Sequence, residues 1–522
     1  MTQKAQISMA DQLYLSLPQV YRDRDQGDLK KYLTGFGKML DRLHATLEQR
    51  LADSFPYNPE DDSPACQPWI LPYFADLLDV RLISPHAKGR RDEISMAVQW
   101  RQTKGTLACL ESITESLGQM EAEIQEGWQR VAITPLVNRS LVPARAFGYG
   151  PGLAMDIPGM AARHPSLPTS TVDTRFCSGA VRAKDKSPGS KITGFDNEKI
   201  TWRQASPFGV PGHPGSFDDL SRRTPDLRDP GWNKGYFHPG RVLLHVPPPD
   251  GFYSPDTIRV QWRKRQEENS RFVKWIEEIP PDPEDPSQTR IFRNRTLDAG
   301  PFKPVRIWGR VETRGTGTWR FEGIQFDHAL IAHHARLELE GCTLLRAESH
   351  VIDKGVPVIL AKFCLIRHLR AARGRVDLEY ATVLEPGIAQ VLNISDTILL
   401  GKIEKDDTPA TDGPEQGCFR YSRHHPDQDI TALNLFSCTA EPVEMFNRAY
   451  GKHRGKSCGV LHPACPEPIL FGAEDGGEMG AFHHHRYSLL FQAVEEKLKD
   501  FIPVGMAAVV IPDAHLQDRP RG

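Results

Sequence analysis

Apolar side chains recur at three- and four-residue steps through residues 28–51. They are Leu29, Leu33, Phe36, Leu40, Leu43, Leu47 and Leu51, with Lys, Asp, Arg, Glu and Gln on the other faces. This spacing predicts an amphipathic helix with one continuous stripe. The stripe holds register for more than three heptads, which calls for a partner helix from this chain or another. Leu29, Leu33, Phe36, Leu40, Leu43 and Leu47 are therefore the candidate assembly contact. A second helical period, in W-I-L-P-Y-F-A-D-L-L-D-V (69–80), puts Trp69, Tyr73, Leu77 and Val80 on one face. Pro72 suits its first turn, where the missing N–H is not needed. Ile94, Ala97, Val98 and Arg101 predict a helix running to Lys104. Gly105 fits the left-handed position that ends a helix, and Thr106 fits the N-cap of the next. The apolar face of that next helix is Leu107, Leu110, Ile113 and Leu117. Lys104, Gly105 and Thr106 thus form a helix corner. Alternation over 121–133 predicts a strand.

Downstream the period changes. Residues 135–256 are dense in turn formers, as in F-G-V-P-G-H-P-G (208–215), D-P-G-W-N-K-G-Y-F-H-P-G (229–240) and V-P-P-P-D-G-F-Y-S-P (246–255). Interspersed aromatic residues point to packed irregular structure with short strands. R-V-L-L-H-V (241–246) and I-R-V-Q-W-R (258–263) are strand candidates, and residues 277–287 read as an exposed loop. Residues 317–403 carry a loose repeat. Ile324, Cys342, Cys364, Ala381 and Asp396 mark steps of 18, 22, 17 and 15 residues. Short β-rich units at such steps predict stacked coils of a parallel β-helix, with Cys342, Cys364 and Thr382 inside. A β-sandwich is the alternative. Leu489, Leu490, Ala493, Val494, Leu498 and Phe501 predict a helix over about 486–501, and an apolar strand lies within 503–513.

The fold class is thus multidomain α+β. A helical module spans 1–134, an irregular Pro/Gly-rich β domain 135–300, β-helix-like repeats 301–410, and a mixed region with helix and strand 411–522. The length of 522 residues agrees with several cores. Lys plus Arg number 65 against 67 Asp plus Glu, so no global charge draws the chain to nucleic acid or an anionic membrane. No apolar run approaches the roughly 18 residues of a spanning helix, and the first residues lack a signal core. Nine scattered cysteines suit reduced thiols. The expectation is a chain made in the cytoplasm, without membrane insertion, that leaves it only within an assembly.

L-P-Q-V-Y-R-D-R-D (17–25), the long Leu helix, W-I-L-P-Y-F-A-D-L-L-D-V, and R-R-D-E-I followed by T-K-G-T-L-A-C-L-E-S-I together resemble the phage tail protein I family. The resemblance covers roughly residues 11–130. Thr103 departs from it, standing where a basic residue is expected. The resemblance implies a baseplate wedge component of a contractile phage tail or phage-like injection system. It implies a companion wedge protein of the tail protein J family, other baseplate subunits and a central spike hub as partners. The sheath and tube initiator are more distant candidates. Baseplate rearrangement would be transmitted to the sheath, which contracts. The stretch F-G-A-E-D-G-G-E-M-G-A-F-H-H-H-R-Y (471–487) also resembles segments of longer chains of this kind.

Candidate chemistry is sparse. Cys458, His462 and Cys465, in C-G-V-L-H-P-A-C, carry zinc-type ligands, with Cys418, Cys438 or His453 as a fourth. The spacing is not that of a knuckle, and buried free thiols are the simpler reading. In His483–His485 only the first and third rings could converge. A polar turn into the following helix is the simpler reading, with Glu478 complementing that helix's N-terminus. Asp377 and Glu379 would share a strand face, and Asp396 could join them as a glycan-cleaving pair requires. A solvated strand face explains the same alternation. R-G-T-G-T-W (314–319) reads as a hairpin turn, and the basic run 367–375 as a solvated loop. No nucleotide or nucleophile motif occurs, so no cofactor and no enzyme activity is expected. A glycan-binding, hydrolase or lyase module in the β-helix is the alternative.

Overall fold

The computed structural model describes residues 8–56, 66–130, 191–193, 199–201, 238–253, 256–284, 287–297, 302–313, 315–405, 413–447, 450, 457–463 and 465–512. The segments 208–215 and most of 56–64 and 229–240 lie outside the described residues. The chain forms two compact units, residues 1–119 and 120–522.

The first unit is helical: α1 Met9–Ser16, α2 Gln19–Arg24, α3 Asp28–Ala52, α4 Leu71–Leu78, α5 Ala87–Ser95, α6 Ala97–Gln102 and α7 Leu107–Gly118. The helix expected up to Lys104 is interrupted at Met96 and ends at Gln102. The corner itself forms as its residues dictate. Gly105 takes a φ of +84°, and the Thr106 hydroxyl accepts from the Cys109 N–H at 3.2 Å. Leu110, Ile113 and Leu117 are buried, whereas Leu107 is exposed. Glu93 is fully buried, and its carboxylate accepts from the Ile83 and Ser84 N–H groups at 3.1 and 3.2 Å. Those bonds pin the 83–84 loop to α5. Gly89 allows the approach, since a Cβ there would stand 2.1 Å from Ser84 Oγ.

In the second unit the chain winds into a parallel β-solenoid of about seven turns. The β-sandwich alternative is excluded by the pairing: strands Thr318–Glu322, Arg336–Glu340, Asp353–Lys362, Leu365–Glu379, Gly387–Ser395, Gln416–Arg420 and Leu433–Phe436 stack in parallel. The coils begin before residue 301, at Ile258–Gln261, and continue past 410. Phe292, Phe321, Leu339, Ala361, Leu378, Ile394 and Phe419 are in register and buried. Along each strand these inward residues alternate with outward, partly exposed ones, as in the buried Leu337 and Leu339 between Arg336, Glu338 and Glu340. At the first coils Trp262, Phe272, Phe292, Trp319 and Phe321 form an aromatic plug, over which lies α8 (Arg271–Trp275), N-capped by Ser270.

From Gly323 onward each coil turns one corner through a residue with left-handed backbone: Gly323, Gly341, Phe363, Tyr380, Asp396, Tyr421 and Ser437, with φ between +47° and +65°. Through Tyr421, the N–H of each corner donates to the carbonyl just before the next corner, as from Phe363 to Glu379 and from Tyr380 to Ser395. The first four repeat marks read from sequence, Ile324, Cys342, Cys364 and Ala381, each follow a corner by one residue and lie in the core. The fifth does not: Asp396 is itself the corner, and Thr397 takes the inward place. Thr382 does not join the inner stack of Cys342 and Cys364. Its hydroxyl instead accepts from the Ala481 N–H at 3.0 Å.

Three local expectations are corrected. Gly315 and Gly317 lie between strands that do not pair with each other, so 315–319 is a coil bend, not a hairpin; Arg314 lies outside the described residues. The basic run 367–375 lies within strand Leu365–Glu379, its arginines alternating with buried Leu369 and Ala371. Residues 276–279 open the expected 277–287 loop as a strand, antiparallel to Arg290–Asn294. Near the end of the chain are α9 (Glu467–Leu470) and α10 (Tyr487–Leu498). Strand Ala507–Pro512 pairs in parallel with Arg241–Val246, which pairs antiparallel with Glu123–Glu126. The strand expected over 121–133 thus stops at Glu126, in a 3-10 turn.

Candidate assembly interface

The stripe on α3 divides between cover and exposure. Asp25, just ahead of the helix, accepts from the N–H groups of Gly27, Leu29 and Lys30 at 3.0, 3.0 and 3.1 Å. It supplies the cap that Gly27, at φ +100°, cannot. Burial opposes its charge, but those backbone donors prevail and hold its carboxyl below the usual carboxylate range. α1 packs along one flank. Met9 N–H donates to Asp41 at 3.0 Å, Lys30 pairs with Asp11 at 3.4 Å, and a Cβ on Gly37 would stand 2.5 Å from Ala10. The flank under α1 leaves Leu29 and Leu33 partly covered. The rest of the stripe is open: Phe36 is 49%, Leu40 40%, Leu43 58%, Leu47 59% and Leu51 68% exposed. Tyr32 and Met39 widen the same apolar surface. Such a contiguous face on a helix marks an interaction surface.

Of the face that spacing singles out over 69–80, three members point outward, whereas the fourth, Val80, packs with the buried cluster of Leu71, Ala75 and Ile94. Trp69, Tyr73 and Leu77 are exposed, while the opposite face, Leu71 and Ala75 with Phe74 and Leu78, packs against Ile94 and Cys66. Pro72 lies in the first turn as expected.

The other sequence candidates resolve into structural roles. Asp377 accepts both Arg375 donors at 2.8 and 2.7 Å and the Asn393 amide at 2.9 Å. Glu379 pairs with Lys362 at 2.6 Å. Asp396 does not join them, because its carboxylate accepts from the Glu474 N–H at 2.7 Å and the Ser395 hydroxyl at 2.6 Å. Cys458 sits in an apolar cluster with Tyr253, Phe446 and Phe482, where burial pushes its thiol up to about 12. Cys465 packs in another cluster and donates to the Glu444 carbonyl at 2.9 Å. The His462 ring lies 4.8 Å from that of Phe446. Among the described residues no three such groups converge as metal ligands, and His453 lies outside them. Every described cysteine is a free thiol.

The acidic, glycine-rich segment 474–486 clamps onto the solenoid corners. The Tyr380 ring lies 4.2 Å from that of His483, Phe363 lies 5.2 Å from His484, and the Asp396 carbonyl accepts from the Gly480 N–H at 2.8 Å. His483 is buried, with Nδ1 2.7 Å from the Glu478 carbonyl and Nε2 3.2 Å from Asp475. His485 turns away to stack on Tyr487, so the first and third rings do not converge. Glu478 accepts from the Ser488 N–H and hydroxyl at 3.0 and 2.6 Å, holding the first turn of α10. Sequence reasoning missed Asp25 as the α3 cap and Glu93 as a loop pin. Asp25 carried a signal, an Asp before a Gly-led helix start. Glu93 carried none, since nothing in its neighbours sets it apart from a solvated Glu on a helix surface.

No helix among the described residues is long and apolar enough to cross a membrane. Comparison with curated proteins and with solved structures finds no match. Residues 35–145 match the family model described as phage tail protein (Tail_P2_I), and this match supports a structural role in a phage tail.

Proposed function

We propose that the chain is a structural wedge component of the baseplate of a contractile tail or phage-like injection system. The observation that carries this reading is the exposed apolar stripe on the 25-residue α3. Phe36, Leu40, Leu43 and Leu47 keep the three- and four-residue steps of a helix–helix seam. A helix of a companion wedge protein, of the tail protein J kind, docks there. Wedges so paired surround the spike hub, and their rearrangement is passed to the sheath. The solenoid braces the periphery. The role is mechanical, and the chain turns over no substrate.

The test is the double variant Leu40→Asp, Leu43→Asp. Both positions are exposed, so the chain folds with unchanged circular dichroism. Burying a leucine side chain at such a seam is worth about 1.5–3 kcal/mol, which a carboxylate there forfeits. Co-purification with the companion wedge protein should therefore be lost. A double variant that still assembles normally refutes the docking role of α3.

A further inference from the structure

The outer face of the solenoid changes character along its length. Two in-register columns run across the rungs. One passes through Glu322, Glu340, Lys362, Glu379, Ser395, Arg420 and Phe436, the other through Arg320, Glu338, Leu360, Asp377, Asn393, Cys418 and Asn434. Over the earlier rungs charges neutralise each other. Arg293 pairs with Glu322 at 3.1 Å, Arg320 with Glu340 at 2.6 Å, and Lys362 with Glu379 at 2.6 Å. After Glu379 the lattice stops. Ser395, Arg420 and Phe436 follow, and the Arg420 guanidinium has no carboxylate partner among the described residues. There the face opens into a cavity of about 630 Å³, lined on one side by the last paired carboxylates, Asp377 with Arg375 and Glu379 with Lys362, and on the other by Asn393, Ser395, Arg420 and Phe436. Its size is that of a small-ligand site. Phe436 is 57% exposed, one rung from Arg420.

We propose that this cavity binds an acidic saccharide unit. The chemistry of its walls sets the class. Arg420 offers a planar pair of donors for a carboxylate. Asp377, already fixed by Arg375 and Asn393, presents acceptor oxygens, and Ser395 adds a hydroxyl, which together match closely spaced sugar hydroxyls. The Phe436 ring offers an apolar surface to the C–H face of a pyranose. A peptide strand would use the backbone edge of a sheet, whereas here the side chains of four successive rungs form the floor. The assignment is independent of the α3 docking role.

The experiment is titration calorimetry of the full chain with a galacturonate hexamer, a hyaluronan hexasaccharide and sialyllactose. Maltohexaose and lactose are the uncharged controls. At least one acidic saccharide should bind, and its neutral counterpart should not. Arg420→Gln should weaken that binding by about ten- to a hundredfold, the loss of a charge-assisted contact, and Phe436→Ala should weaken it too. Arg320→Gln, on the same face within the neutralised lattice, should leave it unchanged. If no acidic saccharide binds, the proposal is overturned. Binding that survives Arg420→Gln, or that Arg320→Gln weakens equally, places the ligand elsewhere and overturns it as well.

Discussion

At the scale of single residues, Glu478 carries the clearest electrostatic consequence. Its carboxyl is buried beneath α10, and burial pushes it up to about 7 from an ordinary value of 4.5, against the pull of the Ser488 donors. The folded chain therefore holds a proton there that the unfolded chain releases between about pH 4.5 and 7. Stability from this group is complete below that window and falls as pH rises through it, by on the order of 3 kcal/mol. Thermal melts of the second unit should shift downward from pH 5 to about pH 7. Glu478→Gln, which keeps an acceptor for Ser488 and cannot ionise, should flatten that slope. An unchanged slope in the variant would assign the titration to another group. The sequence placed Glu478 beside a helix start correctly. It held no sign that the side chain would be sealed in, because burial there depends on the corners of Phe363, Tyr380 and Asp396, far off in the chain.

At the scale of elements, α3 shows what periodicity can and cannot disclose. Three- and four-residue spacing located the helix and its stripe. It could not disclose that α1 would seat against Gly37 and cover one flank, since that contact depends on the absence of a side chain. The start of α3 rests on Asp25, which holds three backbone N–H groups. Asp25→Ala should destabilise that end of the helix by about 1–2 kcal/mol. Amide hydrogen exchange should then quicken from Leu29 to Leu33 and stay unchanged at α7. Equal exchange in both proteins would show that α1, rather than the cap, anchors the helix. The face of α4 was also legible as a face. Its outward direction was not, because Trp69 and Leu71 are equally apolar in a count of hydrophobic positions.

At the scale of the whole molecule, the two units keep separate cores, one around Leu71, Ile94, Ile113 and Leu117, the other along the inward columns of the solenoid. Each should unfold in its own transition. Ile113→Ala removes packing only from the first, and Phe292→Ala only from the aromatic plug of the second, at costs of about 2–5 and 3–5 kcal/mol. Scanning calorimetry should show each variant lowering one transition and sparing the other. A single transition that both variants lower would join the units into one cooperative body. The solenoid was partly readable because Gly323, Gly341, Phe363 and Tyr380 stand at nearly even steps. The coils at Tyr421 and Ser437 escaped notice because the step from Asp396 to Tyr421 widens to 25 residues. The earliest coils escaped because their aromatic plug does not repeat the corner pattern.

The corner residues settle a further matter. Successive corners are 18, 22, 17, 16, 25 and 16 residues apart, yet each pairs with the next in the same way. What must be kept from coil to coil is one backbone conformation and one hydrogen bond, while the length of chain between them is free. The rod can thus gain or lose whole coils without disturbing its neighbours. Its reach is graduated like a ruler, in marks of about 4.8 Å, and can be fitted to a span set by something else.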